Sequence, residues 1–350
     1  MSIQIIDILF LLIALIIILI GCELFVNGIE WLGVKLGLAE NFVGSVLAAV
    51  GTALPETMIP IIAIIFATNG AGHEIAVGAI IGAPFMLATL AMLVGGITIL
   101  VASRRGRRPS HLSISTEHFG TDIRHFLIMY SLAVLAALFL SGSGQMTHLG
   151  RYAIAILLIL LYAIYIKRML SRTSEKLSTP NSLHLFRPFS SLDGTSPKLF
   201  FVLIQVFSSL AIIIVGARLF VGEIELISSE LGISGIILAF LIAPVATELP
   251  EKFNSVIWYW RGRDTLALGN ITGAMVFQSS IPVSIGLVFT DWYLDHIHIA
   301  SMVFAMFAMA LISIEMIHFK RISYKTLLFS GIFYFLYLVL VIYASSTGQI

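Results

Sequence analysis

Two five-residue stretches hold the side chains best suited to chemistry: Thr52-Ala53-Leu54-Pro55-Glu56 and Thr247-Glu248-Leu249-Pro250-Glu251. Each lies in an apolar run long enough to cross a membrane. Proline has no backbone N–H, and its ring crowds the carbonyl about one turn earlier. Carbonyls from Ala49 to Thr52, and from Pro244 to Thr247, can thereby lose their helical partners. Pro244 itself should widen the second break. Freed carbonyls in lipid need protein, water or a cation to satisfy them. A carboxylate at that depth is also costly, which makes Glu56 and Glu251 functional candidates. Two carboxylates, two threonine hydroxyls and loosened carbonyls form an all-oxygen set that suits a hard cation. Ca²⁺ accepts irregular shells of oxygens, whereas Mg²⁺ keeps its waters and demands an octahedron. The competing reading is structural: the prolines only kink the helices, and the acids are protonated or paired with Lys252.

The elements that carry these motifs must be membrane helices. Hydrophobic residues make up 59% of the chain and charged residues 11%. Mean hydropathy is +1.02. Soluble domains carry about a quarter charged residues, so lipid is the solvent here. The near-neutral net charge argues against a nucleic-acid partner. The single cysteine, Cys22, sits in an apolar run and reads as a small buried hydrophobe. The N-terminal run lacks a basic flank and reads as a first span rather than a signal peptide.

About ten segments have spanning length, near 3–26, 41–68, 74–101, 124–142 and 149–170, then 198–221, 233–260, 265–289, 297–317 and 324–345. The expected architecture is an all-α membrane protein of about ten transmembrane helices. Residues 1–170 form a first unit of five helices, 171–197 a cytoplasmic linker, and 198–350 a second unit of five. Lys and Arg collect in alternate loops, the cluster Arg104, Arg105, Arg107 and Arg108 among them. The positive-inside rule puts those loops in the cytoplasm and both termini outside, in the cell (inner) membrane. Contact of the cluster with anionic lipid is a lesser alternative.

The two units are copies. Gly21-Cys22-Glu23-Leu24-Phe25-Val26 aligns with Gly216-Ala217-Arg218-Leu219-Phe220-Val221, and Thr52–Glu56 with Thr247–Glu251, at one constant offset of 195 residues. Further on, Gly78–Ala83 aligns with Gly269–Ala274 after a four-residue deletion. Five helices per unit is an odd number, so the second unit enters the membrane from the opposite side. Inverted repeats with broken helices at their interface are a mark of secondary transporters.

These repeats resemble the alpha-repeats of the cation/Ca²⁺ exchanger superfamily, which includes the sodium/calcium exchangers. Those repeats read roughly Gly-Thr-Ser-Leu-Pro-Glu, then Gly-Asn-x-x-Gly-Ser-Asn. The resemblance covers nearly the whole chain and implies inverted five-helix repeats with discontinuous helices at the ion site. It implies a core cation site of Thr52, Glu56, Thr247 and Glu251. Glu248, Gln278, Asn270, Ala49 and Pro244 are secondary candidates, the last two through their carbonyls. No cofactor is implied. The implied activity is secondary active antiport of Ca²⁺ against Na⁺ or H⁺ by alternating access.

The chain departs from the family pattern at several polar positions. Ala53 and Glu248 replace the motif serine, Ala83 and Ala274 a later serine, and Pro84 and Met275 the residue after it. Leu87 and Gln278 stand where the family has Asn or Asp, and Ala79 faces the retained Asn270. In the resemblance, the missing side chains mostly complete the flanking Na⁺ sites. If Glu248 lies close to Glu251, the two do not both ionise readily, and one can carry a proton. Altered Na⁺ coupling and H⁺ coupling are both expected possibilities.

Other readings remain. An antiporter of Mn²⁺, Mg²⁺ or K⁺ is one, and a passive channel or sensor another. An intramembrane enzyme would need a constellation such as His-Glu-x-x-His, and none is present. Glu23 and Arg218 hold equivalent positions and form either a pair across the repeat axis or two separate charges. His296 and His298 read as part of a solvated loop rather than a metal site. Asn27, Glu30, Glu223 and Glu225 are expected near the outer surface, where they draw cations inward. The expected partners are inorganic cations and the bilayer, with the protein itself monomeric.

Overall fold

The computed structural model describes residues 5–66, 71–114, 116–140, 145–171, 182–185, 197–230 and 248–347. Apart from one two-stranded pairing, its regular structure is helical. The first unit contains α1 (Ile5–Leu36), a short α2 (Glu40–Phe42), a π-helical segment π1 (Val43–Ala48) and α3 (Ala49–Phe66). It continues through α4 (Ala71–Met86), π2 (Leu87–Ala91), α5 (Met92–Arg104), α6 (Thr116–Phe139) and α7 (Gln145–Ser171). The second contains α8 (Leu199–Glu230), α9 (Leu249–Trp260), α10 (Asp264–Gln278), α11 (Ile281–Phe289), α12 (His296–Phe319) and α13 (Tyr324–Ser346).

Eight stretches of helix among the described residues are long and apolar enough to span a bilayer. Glu40–Phe66 carries the first motif, and Leu249–Trp260 is the described part of the expected 233–260 segment, with Leu249, Pro250 and Glu251 of the second. The protein is therefore a multi-pass integral membrane protein. Its outward faces fit that reading. Ile156, Leu157, Ile159 and Leu160 on α7, and Phe335, Leu336 and Val339 on α13, are exposed. A water-soluble monomer does not present continuous apolar faces of that size.

The repeat axis is visible in one reciprocal contact. A Cβ on Gly21 would lie 2.8 Å from Ile213, and a Cβ on Gly216 would lie 2.9 Å from Ile18. These four residues are two pairs at the offset of 195, so each glycine receives the other's isoleucine. Such a reciprocal contact fits α1 and α8 related by a pseudo-two-fold axis, as inverted repeats are. The two glycines let the backbones approach, as small residues do at membrane helix crossings.

α10 is the central helix. Nearly all of its residues are buried, and it packs on π1, α3, α4, α6 and α9. Its close approach to π1 depends on two glycines. A Cβ at Gly269 would lie 2.8 Å from Ser45 Oγ, and one at Gly273 would collide with the Ser45 backbone.

The helix breaks are real but displaced from where the prolines alone would put them. α3 runs unbroken through Pro55, and the irregular turn, π1, lies about two to three turns earlier. The third helix of each unit breaks at matching positions. α4 contains Pro84 and passes into π2 at Leu87. α10 stops at Gln278, the equivalent of Leu87, and α11 starts after Ser279 and Ser280. Side-chain hydroxyls cap the loosened carbonyls there: Tyr130 on Ile81 O at 2.8 Å, Ser279 on Val276 O and Ser280 on Phe277 O.

The basic loops gather at one end. Arg108 pairs with Asp264 at 2.6 Å and donates to Tyr259 O at 2.8 Å. Arg105 and Arg107 lie over Trp260. Arg263 bonds Glu40 at 3.1 Å. The strands β1 (His111–Leu112) and β2 (Ile322–Ser323) pair antiparallel and tie two of these loops together. Protein partners thus account for much of the arginine cluster. Asn27 and Glu30 also lie at this end, against expectation. Asn27 accepts from His184 N, and Glu30 accepts from Trp258 Nε1 at 2.8 Å and approaches Arg263. The reason is helix direction, since α1 enters this end with its C-terminal half. Glu23 pairs here with Arg261 and His184 rather than with Arg218, which is exposed. Glu223 is half-buried, and the side chain of Glu225 lies outside the described residues.

Candidate cation site

The two motif glutamates come from opposite units and are both buried, Glu56 on α3 and Glu251 in the first turn of α9. Among the described residues, no hydrogen-bond donor reaches bonding geometry at either oxygen of Glu56 or of Glu251. Four buried carboxylate oxygens without protein donors are costly unless a cation or proton takes them.

Thr52 sits between the two units. Its hydroxyl donates to Ala48 O at 3.0 Å and lies 3.5 Å from Ala49 O and 3.4 Å from Asn270 Oδ1. It also faces the Glu251 carboxylate. Asn270 donates to Glu251 O and Ser255 Oγ, each at 3.2 Å. One asparagine on the central helix therefore joins the first motif to the second. Ala49 presents its carbonyl beside the Thr52 hydroxyl. Thr247 and Pro244 lie outside the described residues.

Gln278 reaches the same place from the broken end of α10. It lines a small cavity with Glu56, Thr57, Ala79, Ile80, Ala83 and Pro282. Its volume of about 10 Å³ is close to the minimum for one water molecule or a bare ion. Both side-chain amide atoms of Gln278 are buried without partners among the described residues. Ala79 and Ala83, which replace polar family positions, leave that wall apolar.

Glu248 is fully buried and forms an ion pair with Lys252, one turn on, at 3.0 Å. Two further polar residues join the neighbourhood that the motif did not reveal. Thr57 borders the cavity and donates to Ala53 O at 2.9 Å. Asn254, one turn beyond Glu251, is fully buried with neither amide atom bonded among the described residues. Its spacing of three from Glu251 on a helix was the available signal. A third acid, Asp122 on α6, accepts from Ser45 Oγ at 2.9 Å, Tyr165 OH at 3.0 Å and Thr272 Oγ1 at 2.7 Å. It fastens π1 to α10 just behind the site.

His296 and His298 lie in the first turn of α12 rather than in a loop, and His298 Nδ1 lies 2.7 Å from Asp295. No group of three or more His, Cys, Asp or Glu suited to a metal is found among the described residues. Asp295 instead caps α12 by accepting from His298 N at 2.8 Å.

The family model described as sodium/calcium exchanger protein matches residues 6–170 and 201–344. The chain belongs to the sodium/calcium exchanger protein family. That family consists of membrane transporters rather than enzymes, and this member is a cation antiporter. Relatives include an uncharacterised membrane protein of Methanocaldococcus jannaschii, 23% identical over 84% of this chain and 85% of its own length. The candidate antiporter CaxA of Alkalimonas amylolytica is 24% identical over 82% of each chain. Inner membrane protein YrbG of Escherichia coli is 23% identical over 74% of this chain and 72% of its own. Among solved structures, the sodium-calcium exchanger NCX_Mj, soaked with Na⁺ and Ca²⁺, superposes with a TM-score of 0.72 at 19% identity. The match covers 96% of this chain and 99% of that one, and the fold of this exchanger is accordingly the same.

Proposed function

We propose that this exchanger carries Ca²⁺ against Na⁺ or H⁺, with the divalent ion held between Glu56 and Glu251. The observation that supports this most is the pair of buried glutamates, one from each repeat, whose four oxygens have no protein donor among the described residues. The Thr52 hydroxyl, the Ala49 carbonyl and Gln278 add oxygens of the kind Ca²⁺ accepts. Thr247 and Pro244 are the sequence equivalents of Thr52 and Ala49 at the offset of 195, and the same roles are proposed for the Thr247 side chain and the Pro244 carbonyl. Asn270 positions the two motifs against each other. In this reading residues 1–170 and 198–350 are the two functional repeats, joined by a cytoplasmic linker at 171–197. The protein lies in the cell membrane with both termini outside.

Alternating access follows from the same chemistry. The α1–α8 pair rocks or slides against the remaining bundle, exposing the site to one side at a time. Two bare carboxylates resist passage through the closed state, so an empty site does not reorient freely. That barrier makes exchange obligatory. The test is flux into vesicles containing purified protein, across gradients of Ca²⁺, Mn²⁺, Mg²⁺, Na⁺, K⁺ and H⁺. Ca²⁺ uptake driven by an opposing Na⁺ or pH gradient is expected. Flux indifferent to ions on the far side would show a channel instead.

A further inference from the structure

We propose that Lys252 is a tethered monovalent cation of the exchange site, doing with its ammonium what a free monovalent ion would otherwise have to do beside Glu248. This rests on the divalent-exchange reading above and concerns what accompanies the divalent ion.

The geometry comes from comparing the two repeats. Glu248 and Lys252 are the equivalents of Ala53 and Thr57 at the offset of 195. In the first repeat, Thr57 reaches one turn back and donates to Ala53 O. In the second, Lys252 also reaches one turn back, but to the side-chain carboxylate of Glu248 at 3.0 Å rather than to a backbone carbonyl. The spacing of the contact recurs, but a hydroxyl on a backbone carbonyl has become an ammonium on an acidic side chain. Thr57 borders the cavity beside Glu56, and pseudo-symmetry puts Lys252 in the matching place beside Glu251. Both Glu248 and Lys252 lie within electrostatic reach of Glu56 and Glu251.

The charges then balance. Glu56, Glu251 and Glu248 carry three negative charges when ionised. One divalent cation and one lysine ammonium carry three positive charges. The occupied site is neutral with no further ion. With a neutral residue at 252, Glu248 would be a buried, unpaired carboxylate, and a proton, or at alkaline pH a free Na⁺ or K⁺, would have to neutralise it. With a neutral residue at 248, the ammonium would oppose the incoming divalent ion.

The experiment is Ca²⁺ self-exchange in vesicles at fixed alkaline pH, with choline replaced stepwise by Na⁺ or K⁺ on both sides. Wild-type exchange should need no added Na⁺ or K⁺. Lys252→Thr should be nearly silent in choline and recover about tenfold or more as the small cation is added, because breaking a buried pair leaves one uncompensated charge. Glu248→Ala should weaken apparent Ca²⁺ affinity about tenfold or more for the same reason. Joining the two substitutions gives the second repeat the Ala-Leu-Pro-Glu-Thr sequence of the first, which this fold already accommodates. The double variant should recover Ca²⁺ affinity relative to Glu248→Ala and lose the dependence on added cation. If Lys252→Thr does not fold, Glu248→Ala and the double variant decide the matter by themselves. A lysine with a purely structural role would lower exchange equally at every Na⁺ or K⁺ concentration, and that result, or normal affinity in Glu248→Ala, overturns the proposal. Wild-type protein that exchanges no Ca²⁺ would remove the functional reading and this proposal together. Wild-type exchange with unresponsive variants would remove this proposal alone.

Discussion

Glu56 and Glu251 are the residues on which transport turns. Glu56→Gln and Glu251→Gln keep size and shape but each removes one of the two carboxylates that hold the divalent ion. Each should reduce Ca²⁺ uptake to the level of empty vesicles, while elution from size exclusion stays unchanged. Normal uptake by either variant would refute the assignment. Asn270 acts differently, since it holds Thr52 and Glu251 together without adding charge. Asn270→Leu should leave a folded protein whose apparent Ca²⁺ affinity is about tenfold weaker, in line with about 1–3 kcal/mol for orphaned buried hydrogen-bonding groups. The motif residues were legible because an acid beside a proline in an apolar run has few other reasons to be there. Thr57, Asn254 and Asp122 were not. A lone polar residue in a long apolar helix shows its importance only through what it faces, and that depends on helices distant in sequence.

Among the elements, the central crossing of α10 on π1 is the most exacting. Gly82 and Gly273 are repeat equivalents, yet their surroundings differ. A Cβ at Gly82 meets nothing within 4 Å, whereas one at Gly273 runs into the Ser45 backbone. Gly273→Ala should therefore lower stability by about 1–3 kcal/mol, the usual range for overpacking, and Gly82→Ala should be nearly neutral. Thermal unfolding in detergent compares the two directly, and equal midpoints would contradict the packing described. The helix breaks teach a related lesson. Prolines at 55 and 84 announce irregular backbone, but they do not say where it relaxes. In the first motif helix the slack is taken up in π1, upstream of the proline. In the third helices it appears at Leu87 and after Gln278, where hydroxyls from Tyr130, Ser279 and Ser280 bond carbonyls.

For the whole molecule, the decisive measurement is which gradient drives the divalent ion. The loss of polar side chains at Ala53, Ala79, Ala83 and Leu87, together with the added Glu248, is expected to change Na⁺ coupling. Ca²⁺ uptake driven in turn by a Na⁺ and by a pH gradient measures it. Strong Na⁺ dependence without any effect of pH would rule out proton coupling. Driving by neither would rule out antiport against these ions.

Class, span number and the inverted repeat followed from the residues alone, because lipid imposes length and apolarity on every span and an odd helix count fixes the inversion. The duplicated acids also followed, because an ionisable group at membrane depth is rarely incidental. Only the tertiary structure decided how the acids are grouped. It put Glu56 and Gln278 on one cavity, bound Thr52 to Asn270, and matched Glu248 with Lys252 rather than with Glu251. It also placed Asn27 and Glu30 with the basic loops and gave Glu23 the partner Arg261. Hydropathy records the depth of a side chain along its own helix, whereas a partner across helices depends on crossing angles and rotations set by packing.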